Sequence, residues 1–172
     1  MTLTNNKTTQ ELHLTATDEN TMHFLVEKIS FLLTGKDTNG EYDLAYVEEP
    51  PFGGPPPHRH NDDTEVFFIA QGTGKFVVDG VEKNVKSGDS VIAPKGSIHY
   101  FVAGEEGMTF FLKSYPSNFY NFVKSFGKSV PKDAPLPTFN PATDLDVIKL
   151  TELSLKYGIT YHPELTSAIP KK

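Results

Sequence analysis

Three histidines and one glutamate stand at a spacing that suits metal binding: His58, His60, Glu65 and His99. Side chains at positions i and i+2 of a β-strand point to the same side, so His58 and His60 would present two imidazoles about 6.6 Å apart at their Cα atoms. A short polar link after His60 lets the chain turn, so Glu65 would lie on the neighbouring strand. A third strand, which begins at His99, would supply the fourth ligand. Each donor atom can then reach one ion at about 2.1 Å.

The donor set indicates which ions could bind. Nitrogen and oxygen ligands without sulfur suit Fe, Mn, Ni, Co or Zn, and the order of affinities does not identify which. The chain has no cysteine, which excludes disulfides, thiolate catalysis and Cys-ligated zinc or iron–sulfur clusters. We therefore predict one divalent transition metal ion as cofactor. An open coordination position beside it would make a Lewis acid with room for a substrate.

The elements that must position these side chains are short strands. Between residues 22 and 116, apolar or β-branched runs recur about every ten residues, each closed by a turn signal. Asp79-Gly80, between KFVV and VEKNV, predicts a two-residue type I′ hairpin, in which both central residues need positive φ. About eight such strands predict an all-β fold, an antiparallel sandwich or closed barrel.

The two ends of the chain differ from the middle in their residue pattern. Residues 1–20 lack periodicity, and we expect a flexible tail or an edge strand. Residues 21–116 form the expected barrel. Residues 117–172 are expected to be an extension with short helices packed on the barrel; Thr143 or Asp144 could cap the second helix, and Gly158 suits its end.

Composition limits the classes of function. With 172 residues, one domain is expected, and 20 aromatic residues can supply its core. The net charge of −6 opposes a phosphate backbone, so no nucleic-acid partner is expected. The polar N-terminus resembles no signal peptide and no apolar run approaches the roughly 20 residues of a membrane span, which predicts a soluble cytoplasmic protein without a membrane partner.

Two sequence boxes resemble those of the cupins. The first reads His58-x-His60-x4-Glu65-x6-Gly72 and the second reads Gly88-x5-Pro94-x-Gly96-x2-His99. The chain has Phe52 where the first box expects glycine and Ala103 where the second expects asparagine, and neither position is a ligand. The resemblance implies an antiparallel cupin β-barrel of the jelly-roll type, the four ligands above, and a homodimer.

Residues beside the ligands indicate the character of the substrate pocket. Counting by twos from Glu65 places Phe67 and Ile69 on the ligand's face, and counting from His99 adds Phe101. Tyr42 and Tyr46 share one face of an earlier strand, and we include them as candidate pocket residues although either face could be the inner one. An aromatic pocket favours a planar or otherwise apolar small molecule over a sugar.

Two acidic residues near the first box offer another interpretation. Asp62 and Asp63 could act as paired catalytic carboxylates, but residues of this type in a loop beside Arg59 favour a solvated turn.

Over residues 22–160 the chain resembles the quercetin 2,3-dioxygenase-like single-domain cupins of bacteria. That resemblance implies cleavage of a flavonol-like or other enolisable aromatic substrate by dioxygen, with Glu65 as both ligand and catalytic base. Two alternatives stay open: a metal-dependent isomerase, lyase or decarboxylase of another small molecule, and a non-catalytic small-molecule-binding cupin. Oxygen consumption separates the dioxygenase from the isomerase, lyase or decarboxylase.

Overall fold

A computed structural model describes residues 14–138, 146–162 and 164–165 of the chain. Ten strands lie in these ranges: β1 Thr21–Phe24, β2 Glu27–Leu33, β3 Asp43–Glu49, β4 His58–His60, β5 Thr64–Val78, β6 Val81–Lys86, β7 Ser90–Ala93, β8 His99–Tyr115, β9 Lys128–Ser129 and β10 Ile159–Tyr161. The two helices are α1, Phe119–Phe126, and α2, Val147–Lys156.

The strands pair antiparallel throughout. Seven of them follow the order β10-β4-β8-β3-β2-β1-β9, while β5 pairs with β6, β7 and β8. The longest strands, β5 and β8, each pair with several other strands along their length. The β5–β8 ladder shifts register between Ile69 and Gln71 and again between Gly72 and Gly74, where the strands bend. The predicted antiparallel all-β fold with short helices after the barrel is confirmed.

Alternation along the strands separates an inner from an outer face. In β3, Asp43, Ala45, Val47 and Glu49 are buried and the residues between them are only partly buried. The core is rich in phenylalanine, and the ring centroids of Phe76 and Phe101 lie 4.9 Å apart. Such rings bury large apolar areas, which compensates for the modest apolar fraction of the chain.

The hairpin between β5 and β6 has the predicted turn. Asp79 and Gly80 have φ values of 47° and 79°, and Val78 pairs with Val81 across them. Both central residues are therefore left-handed, as a type I′ turn requires.

The end segments are more closely integrated than expected. Within residues 14–20, Asn20 Oδ1 accepts a hydrogen bond of 2.7 Å from Thr17 N, and Asn20 O accepts one of 2.8 Å from the N–H of the buried Phe31, so this part is tied to the core. Residues 1–13 lie outside the described residues, as do the suggested caps Thr143 and Asp144. Asp146 caps α2 instead, accepting from Lys149 N at 2.9 Å.

The segment after α2 joins the sheet. Strand β10 pairs with β4, with Ile159 opposite His60 and Tyr161 opposite His58. The extension thus contributes a strand as well as helices. Neither helix in the described part of the chain is long and apolar enough to cross a membrane.

Candidate metal centre

Three strands bring the four predicted ligands together. His58 and His60 lie on β4, Glu65 on β5 and His99 at the first position of β8, where it pairs with His58. One ligand atom from each residue lies within 4.8 Å of the others, and all four side chains are buried. The backbone N–H of Gly96 donates to His60 O at 2.6 Å, so the turn before β8 is fixed against β4.

Oxygen atoms outside the cluster orient the imidazoles. His58 Nδ1 lies 2.9 Å from Pro56 O, and His99 Nδ1 lies 3.2 Å from Ser97 O. A carbonyl oxygen can only accept, so each of these Nδ1 atoms donates, and Nε2 is the ring nitrogen left for the cluster. Ligating histidines in metalloproteins are held by outer acceptors in this way.

His60 has a carboxylate in the same outer position. Its Nδ1 lies 3.5 Å from Asp63 Oδ2, beyond good hydrogen-bond geometry, while its Nε2 lies 3.5 Å from Glu65 Oε2. Burial lowers the pKa of His60, but Glu65 and Asp63 together raise it more, so the net shift is upward.

The protonation states of His58 and Glu65 suit cation binding. Burial, reinforced by His99 and His60, holds the pKa of His58 well below its usual range, so its imidazole is neutral. Burial raises the pKa of Glu65, but the three histidines outweigh this effect and lower it to about 2. A neutral imidazole and an ionised carboxylate are the forms that coordinate metals. The four residues therefore fit a divalent ion.

A cavity of about 60 Å³ opens beside this cluster. Most of its lining is apolar and comes from strands on several sides and from α1. The lining residues are Phe24, Leu25, Glu27, Val47, Pro55, His58, His60, Glu65, Phe67, His99, Phe101, Phe110, Leu112, Phe119, Phe122, Ile159 and Tyr161.

The structure separates the candidate pocket residues into two groups. Phe67 and Phe101 line the cavity, whereas Ile69 is buried in the core without lining it. Tyr42 and Tyr46 do not line it either, because the inner face of β3 is the one that carries Val47. Tyr46 packs against the exposed Phe111, with ring centroids 5.2 Å apart.

The two aspartates near the first box have different surroundings. Asp62 is exposed, as a turn residue would be. Asp63 is only 3% exposed, which corrects the expectation of a solvated turn for this residue. Its carboxylate faces His60 and accepts a hydrogen bond of 3.3 Å from Asn118 Nδ2, so the start of α1 reaches the ligand shell.

Two polar residues of the cavity were absent from the sequence prediction. Tyr161 lies with its ring 5.9 Å from that of His58, and burial raises its pKa to about 12, so the phenol stays neutral. Glu27 lines the cavity from β2. Alternation did contain a signal for Glu27, since it falls on the same face as the buried Ile29 and Phe31.

Comparisons with known proteins agree with this fold. Residues 45–112 match the model of the cupin domain family. The structure of KdgF from Halomonas sp. aligns with a TM-score of 0.52 at 16% identity, over 59% of this chain and 93% of that one. An RmlC-like cupin from Shewanella frigidimarina aligns with a TM-score of 0.53 at 20% identity, over 61% and 91%. The fold is thus the antiparallel cupin fold.

Sequence comparison finds a shorter match. The pectin degradation protein KdgF of Dickeya dadantii is 33% identical over 51 residues, which are 30% of this chain and 46% of that protein. An Aquifex aeolicus protein is 26% identical over 76 residues, 60% of its length. The chain therefore spans between about half and three fifths of the curated relatives it matches.

Proposed function

We propose that this chain, which has the cupin fold and whose residues 45–112 match the cupin domain model, is a metal-dependent enzyme of the cupin superfamily. Its substrate is a small enolisable molecule with a mainly apolar body, and its reaction is dioxygenation. The observation that carries the proposal is the placement of four buried ligand atoms at the wall of an aromatic cavity.

The lining of the cavity supports the choice of an apolar substrate. Phe67 and Phe101 lie next to the ligands, and their ring centroids are 6.1 Å apart. A polyhydroxylated sugar acid would need many hydrogen-bonding groups there. The name of the D. dadantii relative refers to pectin, but this lining supports no transfer of that substrate class to the chain.

The volume of the cavity supports the choice of a small substrate. About 60 Å³ is well below the roughly 300 Å³ at which pockets for drug-sized ligands begin. A flavonol would require the walls of the cavity to move outward. We therefore propose a molecule smaller than a flavonol.

The ligand residues and the cavity have separate tasks in this proposal. A divalent ion held by His58, His60, Glu65 and His99 would supply Lewis-acid stabilisation of a negatively charged substrate oxygen. The phenylalanines orient the apolar body of the substrate and exclude water, and the phenol of Tyr161 can donate a hydrogen bond.

Two carboxyl groups of the cavity could accept the substrate proton. Glu65 is the base that the resemblance implies, but among three histidines its pKa is about 2, which makes its carboxylate a weak base. Glu27 lines the same cavity. Glu65→Gln is expected to weaken metal retention and lower turnover by roughly 10²-fold, and comparison at matched metal content separates these two effects.

A second candidate function is a metal-dependent isomerase, lyase or decarboxylase. The presence of Glu27 in the cavity favours it, because proton transfer next to a Lewis acid suffices for such reactions without dioxygen. The homodimer implied by the resemblance stays a prediction, to be measured by light scattering.

The test is metal analysis followed by oxygen uptake. The protein is loaded with Fe, Mn, Co, Ni or Zn, its metal content is measured, and oxygen uptake is followed with acetylacetone, a small enolisable diketone, and with quercetin. We expect one ion per chain and faster uptake with acetylacetone. Metal-loaded protein that consumes no oxygen with either compound would overturn the dioxygenase proposal, and absence of a bound ion would overturn metal dependence.

A further inference from the structure

We propose that Glu27 is a proton-transferring catalytic residue of the cavity and that Glu49, on the adjacent strand, holds a proton beside it. The inference rests on the proposed function, because it assigns a chemical role in the same cavity. It assigns that role to residues of β2 and β3, outside the two sequence boxes.

Strand register places the two glutamates side by side. Lys28 pairs with Glu48 in the β2–β3 ladder, so the next antiparallel position sets Glu27 opposite Glu49. Lys28 and Glu48 form an ion pair of 2.9 Å on the outer face. Alternation then turns Glu27 and Glu49 toward the inside, on the faces that carry Ile29 and Val47.

The pair is isolated from compensating charge. Glu49 is only 3% exposed, and neither of its side-chain oxygens has a partner at standard hydrogen-bond geometry. Neither carboxyl group forms an ion pair with a lysine, arginine or histidine among the residues that the structure describes. A partly buried and a fully buried carboxyl group at opposed positions of one strand pair resist double ionisation, so the pair retains a proton.

Electrostatics agree with a shared proton. Burial raises the pKa of Glu27 to about 7, the contact with Glu49 lowers it, and the charge of Glu65 raises it again. Burial and the neighbouring Glu27 raise the pKa of Glu49 well above its usual range. Tyr161 also faces Glu27, but its phenol is neutral. Glu49 is therefore the protonated partner, and Glu27 titrates near neutrality, where a general base is most effective.

Access distinguishes the roles of the two residues. Glu27 is only partly buried and lines the cavity that contains the four ligands, so a molecule bound there can touch it. Glu49 does not line that cavity. Glu27 is thus the catalytic residue, while Glu49 acts through it as a positioning residue.

The step is redox-neutral. The Glu27 carboxylate accepts the proton of a carbon next to a substrate carbonyl, the C–H bond breaks, and its electron pair forms the enolate. Protonated Glu27 then returns a proton to the same carbon or to the neighbouring one. Return to the same carbon in D₂O exchanges hydrogen for deuterium, which makes the step visible without knowledge of the natural substrate.

The experiment follows deuterium exchange into acetoin, a small α-hydroxyketone, by NMR in D₂O with the metal-loaded full chain. Glu27→Gln is expected to lower the exchange rate by about 10²-fold or more at unchanged metal content, and Glu27→Asp to restore part of it. Glu48→Gln makes the same change on the outer face and is expected to leave the rate unchanged. Exchange that survives Glu27→Gln, or metal-loaded parent protein that exchanges acetoin no faster than buffer, would overturn the inference.

The pH profile tests the role of Glu49. Glu49→Leu removes the hydrogen-bond donor whose contact lowers the pKa of Glu27, so the rising limb of the exchange profile should move to higher pH. An unmoved limb would overturn the positioning role. Metal content distinguishes this inference from the proposed function. If the Glu27→Gln protein retains its metal and its exchange rate is unchanged, the inference alone is contradicted. If the parent protein binds no metal, the proposed function is contradicted.

Discussion

His99 Nε2 lies 3.0 Å from Glu65 Oε2, although the two residues stand near opposite ends of one strand ladder. In the pairing of β5 with β8, Glu65 lies opposite Ser114, and His99 lies opposite Val78. The side chains meet because both long strands bend around the core. Their contact is thus produced by the curvature of the sheet, and any change that flattens this curvature will separate the ligands.

Metal retention should depend on His60 far more than on His162. His60→Ala removes one of the four donor atoms, whereas His162 lies outside the cluster, with its Nδ1 2.9 Å from Glu164 Oε1. After identical chelation and reconstitution, we expect the His60→Ala protein to lose most of its metal and the His162→Ala protein to match the parent. Equal metal content in the two variants would contradict the assignment.

Asp63 should tune metal affinity through His60. Asp63→Asn removes the negative charge 3.5 Å from His60 Nδ1 while keeping the size of the side chain and an oxygen for Asn118. Loss of an outer partner of this kind lowers metal affinity by about 10- to 100-fold. Competition with a metal-binding dye measures the change. Asp62→Asn is the matched control, because Asp62 is exposed, and an equal effect of both substitutions would refute the role of Asp63.

The Glu27–Glu49 pair should make the protein less stable as pH rises. The folded-state pKa of Glu27 is about 7, against 4.5 for the ordinary side chain, so the folded state binds more protons between these values. The free energy of unfolding therefore falls as pH rises from about 4.5 to 7, by about 3 kcal/mol from Glu27. Urea unfolding at several pH values checks this. Glu49→Gln should flatten the dependence, and a slope unchanged in that variant would contradict the pairing.

Gly54 should tolerate no side chain. Its φ is +150°, and a Cβ there would overlap the carbonyl oxygen of Phe101, a cavity residue. Gly40 also has a positive φ, of +83°, but faces open space. We expect Gly54→Ala to lower the free energy of unfolding by several kcal/mol and Gly40→Ala by about 1–2 kcal/mol, measured by denaturant titration. Equal losses would show that backbone strain alone decides both.

The ligands were predictable because their geometry is local. His58 and His60 stand two residues apart on one strand, so their side chains point to the same face. The turn signals before Glu65 and His99 place the remaining donors on adjoining strands. The type I′ turn at Asp79 and Gly80 was predictable for the same reason, since the dihedral preference resides in the residues themselves.

The rest of the cavity depends on contacts that distant residues make. The period of β3 does not say which face is inner, so Tyr46 and Val47 were equally acceptable until the strand was placed beside β8. Tyr161 reaches His58 by a pairing across about 100 residues. Alternation puts Glu27 on the face of Ile29 and Phe31, but only the placement of β3 beside β2 sets it opposite Glu49.

The walls of the cavity come partly from segments outside the matched domain. Residues 45–112 contain all four ligands, but Phe24, Glu27 and Tyr161 lie before or after them. All four candidate ligands thus lie in the matched domain, whereas the lining of the cavity is shared between that domain and the stretches that flank it. Substitution in the flanking stretches can therefore change the shape and polarity of the cavity while the ligand residues stay untouched, so two proteins that share these boxes need not bind the same molecule.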